Sequence, residues 1–195
     1  MHALTDPRIA ALAQRLATRQ PREEAVWPQA RLAAVAAVLR LREEPELLFI
    51  KRAEVDGDPW SGHIAFPGGR QEVADASLEA TAVRETREEL ALDLDAGRII
   101  GQLDDIAPRS PALPPIIVRP FVAVVAADVT LVASREVADA FWVPLSTLQS
   151  PTALVDHIVI VNGVTARFPA YGVHGHSVWG LTERIVRQLL SLLTP

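Results

Sequence analysis

Three glutamates, Glu85, Glu88 and Glu89, stand close together in the stretch RETREEL, Arg84 to Leu90. Spacings of three and four residues put side chains on one face of a helix, so these carboxylates point the same way. A solvated helix face tolerates such a cluster, because each like-charge pair costs only about 0.2–0.5 kcal/mol. Arg84, four residues before Glu88, offsets part of that cost. Chemistry enters with Gly68 and Gly69, a short loop upstream, since glycine lets a backbone carbonyl come close to a ligand. A carbonyl beside a row of carboxylates is an all-oxygen donor set, suited to Mg²⁺ or Mn²⁺. Two carboxylates about 5 Å apart repel by roughly 3 kcal/mol at an effective dielectric of about 20, and a dication reverses the sign. Ions held in this way polarise a diphosphate and lower the pKa of a water that can attack phosphorus.

The glutamates need a helix, and the sequence predicts one. No Gly or Pro interrupts Ser77 to Leu90, where Leu78, Ala82, Thr86 and Leu90 recur at steps of four, with Asp75 or Ser77 as N-cap. Upstream, RLAAVAAVLRLREEPELLFIKR predicts two strands joined by the turn REEPE, and AEVDGDPWSGHIAFPGGR predicts a loop. Downstream, RIIGQLDDIAP, PIIVRPFVAVVA and TLVAS predict strands, and EVADAFWVPLSTL a short helical or mixed connector. HIVIVNGVTARFPAY predicts a hairpin with Asn162 and Gly163 at its tip. VWGLTERIVRQLLSLL predicts a closing helix with Leu181, Ile185, Leu189 and Leu192 on one side, and Ile9, Leu12 and Leu16 mark a short amphipathic helix near the start. Strands before and after one central helix, with a second helix at the end, imply an α+β domain with a mixed β-sheet between helices. Residues 1–28 are expected to form a helical extension to a domain spanning 29–195.

The 195 residues suffice for one domain with a real core, and 49 % are hydrophobic. A net charge of −5, with no basic run, argues against a nucleic-acid coat, so a polyanionic substrate needs metal or local arginines. The absence of cysteine excludes disulfides, thiolate metal sites and a Cys nucleophile. Without a signal-like apolar segment or 18 consecutive apolar residues, a cytoplasmic protein with no membrane partner is expected. Association as a homodimer is compatible with this size, but no interface is specified.

GGRQEVADASLEATAVRETREELAL, Gly68 to Leu92, resembles the Nudix box, G-x5-E-x7-R-E-U-x-E-E-x-G-U with U aliphatic. The loop between the glycines and Arg84 is one residue longer than usual, and the first box glutamate falls at Ala76, with Asp75 beside it as substitute. Thr86 takes an aliphatic position and Ala91 that of the late glycine. The resemblance implies a Nudix-type α/β/α sandwich and hydrolysis of a nucleoside diphosphate linked to another group. It also implies a divalent cation, Mg²⁺ or Mn²⁺, on Glu85, Glu88, Glu89 and the Gly69 carbonyl or that of Gly68. Arg84 would brace the carboxylates, and Glu85 would be a ligand or would handle the attacking water.

LLFIKRAEVDGDPWSGHIAFPGG is similar to the segment before the box in the coenzyme A pyrophosphatase subgroup, with Leu47, Leu48, Arg52, Ala53, Gly62 and Phe66 to Gly69 matching. DDIAPRS, VRPFVAVV and HGHSVWGLTERI extend the likeness. It implies cleavage of coenzyme A to 3′,5′-ADP and 4′-phosphopantetheine, with substrate-binding candidates Arg52, Trp60, His63, Gly68 and Arg70. Arg52 is a candidate for phosphate or a surface arginine; Trp60 stacks on adenine or plugs a loop; His63 is a base, a phosphate donor or structural. His174 and His176 are read first as turn residues, Asp104 and Asp105 as solvated strand-end acids or extra metal carboxylates, and Arg109 as bordering the substrate. The same chemistry on ADP-ribose, NADH or a nucleoside triphosphate is the second reading, and a non-catalytic nucleotide sensor the third.

Overall fold

The computed structural model describes residues 6–94, 98–108, 113–161 and 164–193. In chain order the elements are α1 (Pro7–Thr18), β1 (Arg31–Leu41), β2 (Pro45–Arg52), β3 (Ile64–Ala65), β4 (Gly68–Arg70), α2 (Leu78–Leu90), β5 (Ile99–Gln102), β6 (Ile116–Val125), β7 (Val137–Pro144), α3 (Leu145–Gln149), β8 (Leu154–Val161), β9 (Val164–Val173), β10 (His176–Trp179) and α4 (Gly180–Leu193).

β1 is the spine. It runs parallel to β6 from the Arg31↔Ile116 pair to Arg40↔Val125, and antiparallel to β2 only where Leu39 to Leu41 meet Leu47 to Pro45. Away from that short pairing, β3 continues beside β2 and β4 beside β1, so the two long strands part around a wedge. β7 flanks the far side of β2, and β5 flanks β6. The sheet is therefore mixed, and both of its faces are covered.

Alternation along β1 and β2 fills two separate cores, as the period of a strand requires. Ala34, Ala36, Val38, Leu48 and Ile50 face Ala82 and Leu90 of α2. Ala37, Leu39, Leu47 and Phe49 face the opposite layer, with Ile9, Leu12 and Leu16 of α1 and Ile185, Val186 and Leu189 of α4. Helices on both sides of a mixed sheet make the expected α/β/α sandwich. A second, antiparallel sheet of order β10-β9-β8 stands beside it.

Two segments differ from the sequence expectation. EVADAFWVP is no helical connector but β7, paired with β2 through contacts such as Phe49↔Phe141; only the five residues of α3 that follow are helical. TLVAS is not a strand: Val132 N donates to Leu90 O at 2.9 Å and Ser134 N to Glu89 O at 2.8 Å. Its backbone N–H groups satisfy carbonyls left open at the C-terminus of α2, in place of a strand partner. The predicted hairpin is β8 and β9; its tip, Asn162 and Gly163, lies outside the described residues, as do Arg109 and Pro111.

Candidate active site

Helix α2 begins with Ser77, whose Oγ accepts from Ala80 N at 3.1 Å. Asp75 is thereby free for another task. Its Oδ1 and Oδ2 take Arg84 Nε and Nη2, each at 2.9 Å, while Oδ2 also accepts from Glu72 N and Thr81 Oγ1. The Arg84 guanidinium holds the Asp75 carboxyl well below the usual carboxylate range. From that anchor Arg84 reaches Glu85 at 2.9 Å, Glu88 at 3.1 Å and the carbonyl of Arg70 at 3.1 Å. One guanidinium thus joins the loop, β4 and two carboxylates.

β4 reaches α2 through its glycines. At Gly68 a Cβ would lie 2.2 Å from the Ala34 carbonyl of β1, and the residue has φ +150°. At Gly69 a Cβ would lie 2.4 Å from Glu85 Oε1. The first glycine is required by strand packing and the second by a carboxylate. Glu89, 4 % exposed, accepts from Gly68 N–H at 2.9 Å. Burial pushes the Glu89 carboxyl up to about 7, helped by Glu85 and Glu136 and opposed by the Gly68 hydrogen bond. Burial also raises Glu85, against the attraction of Arg84. Glu88 is the exposed member of the row, at 58 %.

A cavity of about 110 Å³ opens on Glu85, Glu88, Glu89, Ser134, Arg135 and Glu136. Among the described residues, no three acidic or imidazole groups are drawn together as closely as holding a metal ion requires. The chemistry of the donor set is that of a divalent-cation site, although its side chains are not drawn together around one point. Its groups are carboxylates whose charges oppose one another in a partly buried wedge, and position 69 is kept clear of a side chain beside Glu85. Glu85, Glu88, Glu89 and the backbone at Gly69 are the residues that would hold such an ion. Glu136 is the cavity-lining carboxylate that sequence reasoning missed, because its neighbourhood with α2 is created by the 132–134 segment running along the helix end.

Arg52 is the last residue of β2. Its backbone N–H donates to His63 O and that of Ala53 to Glu136 O. Arg52 Nη2 donates to Asp58 Oδ2 at 2.7 Å, its charge lowers the pKa of Glu89, and its buried Nε has no partner among the described residues. His63 packs its ring on Trp179 at 4.9 Å, and burial lowers its pKa. Trp60 packs against Ala33, Ile116 and Val118, which is the plug reading. Arg70 has an exposed side chain and contributes its carbonyl to Arg84.

The remaining candidates lie apart from the glutamates. Asp105 is neither a solvated strand end nor an added ligand: it is 2 % exposed and takes Arg119 on both oxygens at 2.8 and 2.9 Å. Asp104 pairs with Arg19 and accepts from Arg22 N. Both acids are used to moor the segment after α1. His174 and His176 flank a tight turn and pack on Phe141, with His174 in the left-handed region at φ +50°.

The NUDIX domain model matches residues 30–161. The protein named uncharacterized Nudix hydrolase NudL in Yersinia enterocolitica is 31 % identical over 176 residues, covering 90 % of this chain and 88 % of its own. The protein of that name in Yersinia pestis is 32 % identical over 160 residues, covering 82 % and 78 %. The NUDIX domain of Shewanella oneidensis NrtR, solved with ADP ribose, superposes with TM-score 0.59 at 22 % identity, covering 93 % of this chain and 98 % of its own. A MutT/nudix family protein from Enterococcus faecalis gives 0.58 at 17 %, covering 94 % and 68 %. Among the described residues no helix is long and apolar enough to cross a membrane. The box-like segment, the glycine wedge under its carboxylates and the match over most of the chain lead to one assignment: this chain belongs to the Nudix hydrolase family.

Proposed function

We propose that this enzyme hydrolyses the diphosphate of coenzyme A, or of an acylated derivative, to 3′,5′-ADP and the corresponding phosphopantetheine. Glu85, Glu88, Glu89 and the Gly69 carbonyl would hold Mg²⁺ or Mn²⁺. Bound there, the ion supplies charge neutralisation at the diphosphate oxygens and a water of lowered pKa. Arg84, fixed by Asp75, keeps Glu85 and Glu88 in place. Glu85 and Glu136 both face the cavity and are the two carboxylates suited to accept the proton of the attacking water. The water oxygen bonds to one phosphorus, the bond to the bridging oxygen breaks, and a proton ends on the departing phosphate.

The observation that carries the reading is the row Glu85, Glu88 and Glu89 lining one cavity with Glu136, with Gly69 held against Glu85. The Arg52 guanidinium, partly exposed and close enough for its charge to act on Glu89, is suited to a phosphate oxygen. The coenzyme A assignment is supported by the likeness of Leu47 to Gly69 to the segment before the box in that subgroup. ADP-ribose is the second reading, because the Shewanella neighbour was solved with that molecule. A non-catalytic sensor is disfavoured, since a binder has no need of the whole glutamate row. The test is mass-resolved product analysis with Mg²⁺ or Mn²⁺ and equal coenzyme A, ADP-ribose, NADH and dGTP. Dominant 3′,5′-ADP supports the proposal. Preferential cleavage of another compound overturns the substrate and keeps the chemistry, and no cleavage favours the sensor.

A further inference from the structure

Four carboxylates line the cavity over α2, and among the described residues one cationic side chain lines it with them, Arg135. It is not the counter-charge of the glutamate row. Glu85 and Glu88 are held by Arg84, and Glu89 accepts from the Gly68 N–H. Arg135 is exposed, and among the described residues its guanidinium is bridged to none of these carboxylates. A solvated arginine is ordinary on an open surface, as at Arg42 in the turn between β1 and β2. Arg135 differs by its place.

That place is fixed by the backbone on both sides. Ser134 N donates to Glu89 O at 2.8 Å, and Glu136 O accepts from Ala53 N at 2.8 Å. Between these anchors Val137 N donates to Ser134 O at 3.1 Å, which makes Arg135 and Glu136 the two central residues of a turn. Ser134 Oγ accepts from Glu136 N at 3.3 Å and tightens it. The turn therefore joins the end of α2 to the end of β2 and carries Arg135 to the cavity wall. A side chain on an anchored turn has less backbone freedom to lose when it meets a ligand.

We propose that Arg135 donates to a non-bridging oxygen of the substrate diphosphate, from the turn side of the cavity. An anionic diphosphate is repelled by every carboxylate that lines this cavity, and Arg135 is the lining residue whose charge opposes that repulsion. Its planar fork matches a pair of phosphate oxygens. When the bond to the bridging oxygen breaks, the electron pair stays with the departing phosphate, which gains charge. A guanidinium fixed beside the diphosphate then binds the transition state more tightly than the substrate. Arg135 and Glu136, adjacent on one turn, divide the work: the guanidinium serves the anion and the carboxylate suits the proton of the attacking water. The assignment rests on the diphosphate hydrolysis proposed above, and not on which group the diphosphate carries.

The test compares Arg135→Ala and Arg135→Lys with the parent and with Arg42→Ala, a control at the opposite end of β2 from Ala53. All three variants should melt with the parent, because no contact of the folded chain is removed. With Mg²⁺ and the nucleotide that the parent cleaves best, Arg135→Ala should lose about 100-fold in kcat/KM, mostly in kcat, the scale for one donor to a developing anion. Arg135→Lys should fall between the two, since an ammonium keeps the charge and lacks the fork. Arg42→Ala should match the parent. A second readout needs no turnover: calorimetric titration with imidodiphosphate and Mg²⁺, in which Arg135→Ala should bind about tenfold or more weakly than the parent, as the loss of a charged hydrogen bond implies. Equal affinity in the two, including none in either, overturns the role of Arg135 whatever the enzyme cleaves. So does a loss of activity matched by a fall in melting temperature, or shared by Arg42→Ala. Weakened imidodiphosphate binding in Arg135→Ala, with a parent that cleaves no nucleotide offered, keeps the anion contact and sinks the hydrolysis.

Discussion

Arg84 grips Asp75 with two parallel hydrogen bonds of 2.9 Å, and the same guanidinium touches Glu85 and Glu88. The loop that delivers the acid is one residue longer than the usual box, and the acid is one methylene shorter. The pair therefore closes from a changed spacing. Asp75→Asn removes the charge from a carboxylate that is 5 % exposed while Arg84 keeps its other partners. A loss of about 2 kcal/mol is expected, the scale of hydrogen bonds to a charged group, and urea unfolding at pH 7 measures it.

The same pair gives a pH dependence. Arg84 lowers the folded-state pKa of Asp75, so in acid the unfolded chain binds the extra proton. Stability from the pair is complete above the unfolded pKa of about 4 and falls as pH drops below it. Asp75→Asn should flatten the acid limb of a plot of unfolding midpoint against pH between 5 and 2. A limb as steep as that of the parent would show that other carboxylates carry the acid response.

Gly68 and Gly69 are adjacent, but alanine at each should fail differently. A Cβ at 68 meets the backbone of β1, which cannot turn aside, so Gly68→Ala is expected to lower stability by more than about 2 kcal/mol and yield little soluble protein. A Cβ at 69 meets the Glu85 carboxylate, which can rotate at the cost of its position. Gly69→Ala should keep most of the stability and lose about tenfold or more in kcat/KM. Thermal melts and steady-state rates on both variants separate the two effects.

Much of this was legible in the sequence. The period-four apolar row of α2 and the carboxylates on its other face follow from residues within one helix, where neighbours in space are neighbours in sequence. β7 was not legible, because EVADA has no strand-like alternation of its own and pairs only because β2 offers an edge. Nor was Glu136, which shares the cavity because residues 132 and 134 bond to carbonyls of α2. Asp104 and Asp105 were recognised as acids but not as moorings, since their partners Arg19 and Arg119 are brought to them by the fold.

Ala91 stands where the box has a glycine, and its backbone is left-handed, at φ +51°. A Cβ in that region costs about 1 kcal/mol, which glycine avoids. Ala91→Gly should therefore stabilise the protein by up to about 1 kcal/mol despite adding freedom to the unfolded chain. Turnover should stay near that of the parent, because the residue caps α2 outside the carboxylate row. A destabilised variant would mean that the entropy of glycine outweighs the relieved strain.

Arg52 has two candidate jobs, and mutating one residue cannot separate them. One is to meet a substrate phosphate with the exposed part of its guanidinium; the other is to serve the protein alone by holding Asp58 and hence the loop from Glu54 to Gly62. Arg52→Ala should raise KM with a smaller effect on kcat if the guanidinium binds ground and transition states alike. Arg52→Lys should recover only part of the loss, because an ammonium lacks the planar fork. Asp58→Ala decides between the jobs: it cuts the tether and leaves the guanidinium intact. If phosphate binding is the role, Asp58→Ala keeps KM within a few-fold of the parent while Arg52→Ala does not. If both variants show the same rise in KM and the same loss in melting temperature, Arg52 acts through the loop and the phosphate assignment falls.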